Sequence, residues 1–385
     1  MLKIKMKQIV TRIVVAVGIF AGCLVGQAMA DTTQNTSLTL VDGWNLKGAT
    51  VAIDVAQTLA AKNVDGSGNK YASVWTWDTG ADNWQVFLPG GDTAGYAGDK
   101  GFGQLGTIAP GDGFWVNVNS GQGGEVVLPQ YIVKYLPGTG MNAPKQGKTA
   151  FQLSIAKASD NSPVSGLTPT LAFVMHMENG MNHATPADTV SESTMPGLYN
   201  CTAYYLMASG ADMGTWDMEV TAGGEKSMFH PEVGMAMGNT ALAQLKGVND
   251  KILNSGTVGN RSYLLFNDGF MSAGMGKYTL KLFLATKESM MNMPAIGMGS
   301  TLKDEQGTSW DINTIMVEAS TDQTTWIAAT EGTTGHWSVE GLTGLTTGQA
   351  GIIYVRVTVN GEVKTSDGTA TGIAYAPFTV TPSAM

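Results

Sequence analysis

The sequence predicts an all-β protein, with tandem β-sandwich modules of immunoglobulin-like type after an N-terminal signal peptide. Short runs of β-branched and aromatic residues recur along the 385-residue chain, separated by Gly, Asn, Asp and Pro turns. Long stretches with the 3.6-residue periodicity of an amphipathic helix are missing from the sequence. With 50 glycines and 14% charged residues, the composition favours a β-rich extracellular chain over a disordered one.

Residues 1–30 have the pattern of a secretory signal. Basic residues come first, then an apolar run over residues 13–26, then the small-residue exit Ala28-Met29-Ala30. The run of about 14 residues is shorter than the roughly 20 that a transmembrane helix needs. We therefore expect an exported chain, in the periplasm, at the cell surface or outside the cell, with no transmembrane helix in its mature part.

Cys23 leaves an alternative open at this terminus. Residues 20–23 approximate a bacterial lipoprotein box, in which Cys23 would carry a lipid anchor, although Phe20 stands where Leu is usual. The other cysteine is Cys201. Once the signal is removed, an intramolecular disulfide is excluded, and Cys201 is interpreted as a small buried apolar residue.

Charge and motifs exclude two classes of function. The formal charge of −9 includes four basic and no acidic residues of the signal region, so the remainder carries −13. This acidity argues against a nucleic-acid partner. The sequence lacks G-x-S-x-G, H-E-x-x-H, a phosphate loop and Cys-x-x-Cys, so we expect no enzyme activity.

Composition changes along the chain predict three modules. Residues 31–135 form a Trp-rich β module, residues 149–240 a β-sandwich, and residues 261–385 a second sandwich similar to immunoglobulin or fibronectin domains. Residues 136–148 are interpreted as a linker. Two short helices are expected, one within residues 51–62 and one over residues 241–254.

Methionine is concentrated in one part of the chain. Sixteen of the 22 methionines fall between Met175 and Met298, together with three of the four histidines. An i, i+2 spacing recurs there, in Met175-x-Met177, Met181-x-His183, Met228-x-His230 and Met235-x-Met237. The densest piece leaves a strand and passes through Asn179-Gly180, a turn that would bring Met181 and His183 back toward Met175.

The chemistry of these side chains predicts copper. Thioether sulfur is soft and needs no deprotonation, so it suits Cu(I), and imidazole accepts Cu(I) or Cu(II). Cysteine is the stronger soft ligand, but it oxidises outside the cytoplasm. Zinc sites normally take Cys, His and carboxylate. Copper, favoured as Cu(I), is therefore the expected metal ion, with another exported or membrane protein as a candidate partner.

The middle module resembles the YtkA-like and FixH-like family, exported or membrane-associated sandwich domains linked to copper handling and related in shape to CopC-type carriers. The resemblance covers about a fifth of the chain and rests on five stretches: Phe151-Gln152-Leu153-Ser154-Ile155, Pro163-Val164-Ser165-Gly166, Val174-Met175-His176-Met177, Met195-Pro196-Gly197-Leu198-Tyr199 and Met213-Gly214-Thr215-Trp216-Asp217-Met218-Glu219-Val220. It implies metal-facing residues at Met175, Met177, Met181 and His183, with Met213 opposite.

Residue chemistry and resemblance together give one set of candidate metal ligands. The set is Met175, His176, Met177, Met181, His183, Met213, Met228 and His230. The alternative is a cell-surface structural or interaction protein, in which the Trp-rich module and the C-terminal sandwich contact a polymer or protein. In that case the methionines would serve as packing, as most methionines do.

Overall fold

The computed structural model describes residues 37–61, 68–254 and 256–383, in which strands predominate. The predicted signal peptide, residues 1–30, and Cys23 lie outside the described residues. Across the described ranges, the search for an apolar helix of membrane-spanning length found none. The predicted all-β class with several sheets is confirmed.

The Trp-rich region is built on a five-stranded sheet in the order β2-β8-β4-β5-β6. Its strands are β1 (Ser37–Leu40), β2 (Gly43–Gly48), β3 (Ile53–Asp54), β4 (Tyr71–Asp78), β5 (Asn83–Phe87), β6 (Gly103–Gln104), β7 (Thr107–Ile108), β8 (Gly113–Val118) and β9 (Gly124–Val127). Helix α1 is Val55–Thr58, and α2 is Thr93–Lys100. Asp92 caps α2 by accepting from the Gly95 N–H, and left-handed Gly101 ends it.

The middle region is a sandwich of two four-stranded antiparallel sheets, β10-β11-β15-β14 and β13-β12-β16-β17. Its strands are β10 (Tyr131–Pro137), β11 (Gly147–Lys157), β12 (Thr170–His176), β13 (Asn182–His183), β14 (Ser191–Glu192), β15 (Leu198–Tyr205), β16 (Thr215–Ala222) and β17 (Glu225–Phe229). Alternate residues of each long strand face the core, so β16 buries Trp216, Met218 and Val220.

The C-terminal region has two five-stranded sheets, β18-β19-β20-β26-β25 and β24-β23-β27-β28 with β29 also paired to β27. The strands are β18 (Leu242–Asn254), β19 (Thr257–Gly274), β20 (Lys277–Lys287), β21 (Thr301–Lys303), β22 (Ser309–Asp311), β23 (Ile315–Ser320), β24 (Ile327–Ala328), β25 (Thr330–Glu331), β26 (His336–Leu342), β27 (Gly351–Val359), β28 (Glu362–Val363) and β29 (Ala376–Val380).

The prediction of a helix over residues 241–254 is wrong, because this segment forms strand β18. It pairs with β19 on both sides of a bulge between Lys246 and Lys251. Two register-matched stretches against a long partner strand outweigh the weak helical propensity of the segment. The helix within residues 51–62, expected as the only one of the Trp-rich module, is reduced to α1, and the longer helix α2 of the same region was not predicted.

Strand pairing groups residues differently from the predicted modules. Strand β10, which overlaps the end of the predicted first module, pairs with β11 over seven residues. Strand β18 lies before the predicted third module but belongs to its sheet. The middle and C-terminal regions share an apolar cluster that includes Tyr204 of β15 and Phe266 and Phe283 of the next region. They therefore meet along a packed seam.

Candidate metal centre

The predicted turn at Asn179-Gly180 closes the hairpin between β12 and β13. The Gly180 N–H donates to the Met177 carbonyl at 2.9 Å, and the Met177 N–H donates to the Met181 carbonyl at 3.0 Å. Gly180 has φ +79°, a left-handed conformation that costs glycine little. The resulting register sets Met175 directly opposite His183.

His183 is buried, with 5% of its surface exposed, and both ring nitrogens are engaged. Nδ1 lies 2.9 Å from the carbonyl oxygen of Ala184, and Nε2 lies 3.2 Å from Sδ of Met207. A carbonyl oxygen only accepts, so Nδ1 carries the proton and donates it. In the neutral ring Nε2 is then unprotonated.

The neutral ring brings two electron-pair donors face to face. Burial lowers the pKa of His183, and the nearby Lys287 ammonium lowers it further. The Nε2 lone pair therefore points at a thioether sulfur, which is itself an acceptor. Two such atoms 3.2 Å apart do not satisfy each other. A soft cation between them would satisfy both.

Trp216 holds both members of this pair in place. Its indole N–H donates to the Met207 carbonyl at 3.0 Å. Its ring packs edge-on against the His183 imidazole, with centroids 5.2 Å apart and planes at 84°. In the sheet, Met175 lies between His183 and Trp216, because it pairs with His183 on the neighbouring strand β13 and with Trp216 on the neighbouring strand β16. The side chains of Met175, His183 and Trp216 all face the buried side.

The other candidate ligands of the hairpin end are less enclosed. Met177 and Met213 are half-buried and pack against the sandwich core. Met181 is 52% exposed at the hairpin tip. Of these three methionines, Met181 is therefore the most open to solvent.

His176 and His230 lie on the opposite face of the same sheet, where they share one carboxylate. His176 Nε2 is 3.0 Å from Asp217 Oδ2, and His230 Nδ1 is 2.7 Å from Asp217 Oδ1. Met228 is exposed on this face, beside Glu219 of the neighbouring strand. Because His176 follows Met175 in a strand, its side chain points the other way. The eight predicted ligands therefore cannot form one site.

In the described ranges, no three His, Cys, Asp or Glu side chains are grouped so as to hold a metal ion. The contacts of His176 and His230 with Asp217 are hydrogen bonds. Methionine thioethers are not among those four residue types. The pair of His183 and Met207 is the arrangement that fits a soft metal ion. Cys201 is buried, and burial raises the pKa of its thiol to about 12, so it offers no thiolate.

Met207 was not among the residues predicted from the sequence. It lacks an i, i+2 partner and follows the end of β15, so its position depends on the path of the chain across the sandwich. The one sequence feature that could have drawn attention to Met207 is its position in the methionine-rich window. All sixteen methionines of that window lie in the described ranges, and nine of them are exposed: Met181, Met195, Met228, Met235, Met237, Met271, Met275, Met291 and Met298. Packing does not account for these.

Comparison with known proteins adds no functional relative. No protein-family profile matches the chain, and no curated protein sequence matches it. Among solved structures, a chimeric titin Z1Z2 carrying a KLER exogenous peptide from decorin matches at 10% identity, covering 67% of this chain and 100% of that chain, with a TM-score of 0.16. The titin Z1Z2 domains in complex with telethonin match at 11% identity, covering 66% and 96%, also with a TM-score of 0.16.

Proposed function

We propose that this protein is an exported copper-binding protein that holds Cu(I) between Nε2 of His183 and Sδ of Met207. The observation that carries the proposal is the 3.2 Å contact between these two atoms; neither supplies a proton when the ring is neutral and Nδ1 is the protonated nitrogen. With the bond lengths of tetrahedral zinc sites as a guide, roughly 2.0 Å to nitrogen and 2.3 Å to sulfur, two ligand atoms on one ion lie about 3.5 Å apart. The pair is therefore close to a ligating separation.

The surroundings favour a monovalent soft ion. Lys287 lies near enough to act on His183 electrostatically, and a fixed positive charge opposes a divalent cation about twice as strongly as a monovalent one. A thioether and an imidazole fit Cu(I) better than Zn²⁺ or Cu²⁺. Met175, which lies opposite His183 in the sheet, is buried in the sandwich core.

Export and delivery form part of the proposal. The signal-like residues 1–30 support export, and in an oxidising compartment Met and His are more durable soft ligands than thiolate. Met181 at the exposed hairpin tip and half-buried Met177 form a series of thioethers leading from solvent toward His183. Such a series would let Cu(I) pass to another exported or membrane protein without becoming a free ion.

Anaerobic titration of the purified chain with Cu(I), in competition with a chromogenic Cu(I) chelator, tests the proposal. We expect sub-micromolar binding. Met207→Leu removes the sulfur while nearly conserving volume, which usually costs less than about 1.5 kcal/mol of stability. It should weaken binding by at least the roughly 10- to 100-fold that loss of a supporting residue costs at other metal sites.

Met228→Leu is the matched control, because Met228 is exposed on the opposite face of the sheet. It should bind Cu(I) as the unaltered chain does. Absence of Cu(I) uptake by the unaltered chain would overturn the proposal. So would a folded Met207→Leu variant with undiminished affinity.

A second candidate function is supported by the Trp-rich region. Trp44, Leu46 and Trp77 are 55%, 49% and 37% exposed on the outer face of the five-stranded sheet. Exposed aromatic faces of this kind are common where a protein contacts a polymer or another protein. Co-sedimentation with insoluble cell-wall polysaccharide, comparing the unaltered chain with Trp44→Ala, tests this role. Equal recovery of both proteins would count against it.

A further inference from the structure

We infer that the third ligand of the His183–Met207 site comes from the C-terminal region, from the thioether of Met290, so that Cu(I) binding links the two regions. This inference rests on the proposed Cu(I) site. Its first support is a backbone contact: the N–H of Ala184, the residue after His183, donates to the carbonyl of Met290 at 2.7 Å. Met290 is therefore placed immediately beside the candidate site.

The loop that carries Met290 is fixed at both ends. Thr286 N–H donates to the Pro294 carbonyl at 3.0 Å, and Glu288 N–H donates to the Asn292 carbonyl at 3.0 Å. Met293 is buried in the cluster that Tyr204 shares with the C-terminal region. These contacts seat the loop against the middle sandwich, with the Met290 carbonyl accepting from the Ala184 N–H.

Neighbouring methionines of the loop have different environments. Met291 is 49% exposed and its N–H donates to Ser289 Oγ at 3.2 Å, whereas Met290 is half-buried. The methionine side chain has three rotatable bonds and adapts to its surroundings. From a backbone position hydrogen-bonded to Ala184, the Met290 sulfur can therefore reach the space beside His183.

A third sulfur matches what Cu(I) accepts. Soft ligands hold this ion, and a second thioether would complete a sulfur-rich set around one imidazole. Because Met207 and Met290 belong to different regions of the chain, an ion bound by both favours the docked arrangement. Cu(I) should then stabilise the seam between the middle and C-terminal regions, in addition to the middle sandwich itself.

The test compares the full chain with Met290→Leu and Met291→Leu. Leucine keeps the apolar volume and the backbone carbonyl, so the contact with Ala184 is preserved in Met290→Leu. We expect Met290→Leu to weaken Cu(I) binding at least about tenfold, and Met291→Leu to leave it unchanged. X-ray absorption of the Cu(I)-loaded chain should lose one sulfur scatterer in Met290→Leu only.

The possible failures are distinguishable. If the unaltered chain binds Cu(I), and Met207→Leu weakens binding while Met290→Leu has full affinity and an unchanged sulfur count, the inference is overturned and the proposed site stands. If the unaltered chain takes up no Cu(I), the proposed function fails, and the inference fails with it.

Discussion

The ring of Tyr204 stacks on the ring of Phe283, with centroids 3.9 Å apart and planes within 5° of parallel. Tyr204 is the last residue but one of β15 in the middle sandwich, and Phe283 lies in the central part of β20. The Tyr204 hydroxyl also donates to Asp268 Oδ1 at 2.7 Å. A buried aromatic stack and a charge-assisted hydrogen bond therefore join the two regions at one residue.

Replacing Tyr204 should test the strength of this seam. Tyr204→Ala removes the stack and leaves a cavity, so we expect a loss of about 3–5 kcal/mol in the free energy of unfolding. Tyr204→Phe keeps the ring and removes the hydrogen bond to a charged group, at a cost of about 1.5–3 kcal/mol. Urea denaturation at neutral pH measures both. Equal effects of the two variants would contradict a role for the stack.

His336 should make the stability of the seam depend on pH. Its Nε2 lies 3.1 Å from Asp188 Oδ2 and its Nδ1 lies 3.4 Å from Asp268 Oδ2, and these two carboxylates raise the pKa of His336 to about 9. A raised folded-state pKa means that the stabilisation is complete below the unfolded value of about 6.5. It is lost as pH rises from there through about 9.

The expected size of this loss is about 1–3 kcal/mol between pH 6.5 and 9.5. His336→Gln keeps a polar side chain without the titration, so its stability should be lower at pH 6.5 and flatter over the same range. Chemical denaturation at several pH values measures the slope. A slope that is the same in both proteins would show that His336 does not titrate as described.

The fold class could be predicted because it depends on local signals: alternation and turn residues repeat every few positions. The turn at Asn179-Gly180 was predicted too, but the register was not. Three residues, 178–180, separate Met177 from its partner Met181, whereas a two-residue turn would have set Met175 opposite Ala184. Strand β18 was mistaken for a helix because its identity comes from pairing with β19, which no local pattern reveals.

The ligand set was less predictable, for two physical reasons. Adjacent residues of a strand face opposite sides, so a dense sequence cluster such as Met175-His176 is divided between two surfaces. The contact between His183 and Met207 spans 24 residues and two sheets of the sandwich. Such a contact depends on how the sheets pack, and spacing in the sequence does not encode it.

Gly214 should be intolerant of any side chain. It has φ +119°, and a Cβ there would lie 2.0 Å from the carbonyl oxygen of His176. Gly214→Ala adds backbone strain of about 1–2 kcal/mol to overpacking of about 1–3 kcal/mol, and it should also displace the end of β12. Gly180→Ala is the control, because its Cβ would meet nothing within 4 Å and only φ is strained. Thermal unfolding should rank Gly214→Ala as clearly less stable than Gly180→Ala, and the reverse order would refute the steric argument.

Cys201 should be chemically silent in the folded protein. It is buried in the sandwich core, and burial raises the pKa of its thiol to about 12, so almost no thiolate exists at pH 8. In a Cys23→Ser background, iodoacetamide at pH 8 should modify Cys201 only after urea is added, as followed by intact mass. Cys201→Ala in the same background should retain the Cu(I) affinity of its parent. If Cys201→Ala instead binds Cu(I) more weakly than its parent, Cys201 is a copper ligand, because thiolate is the stronger soft ligand. The site would then have to be assigned to Cys201 in place of His183 and Met207.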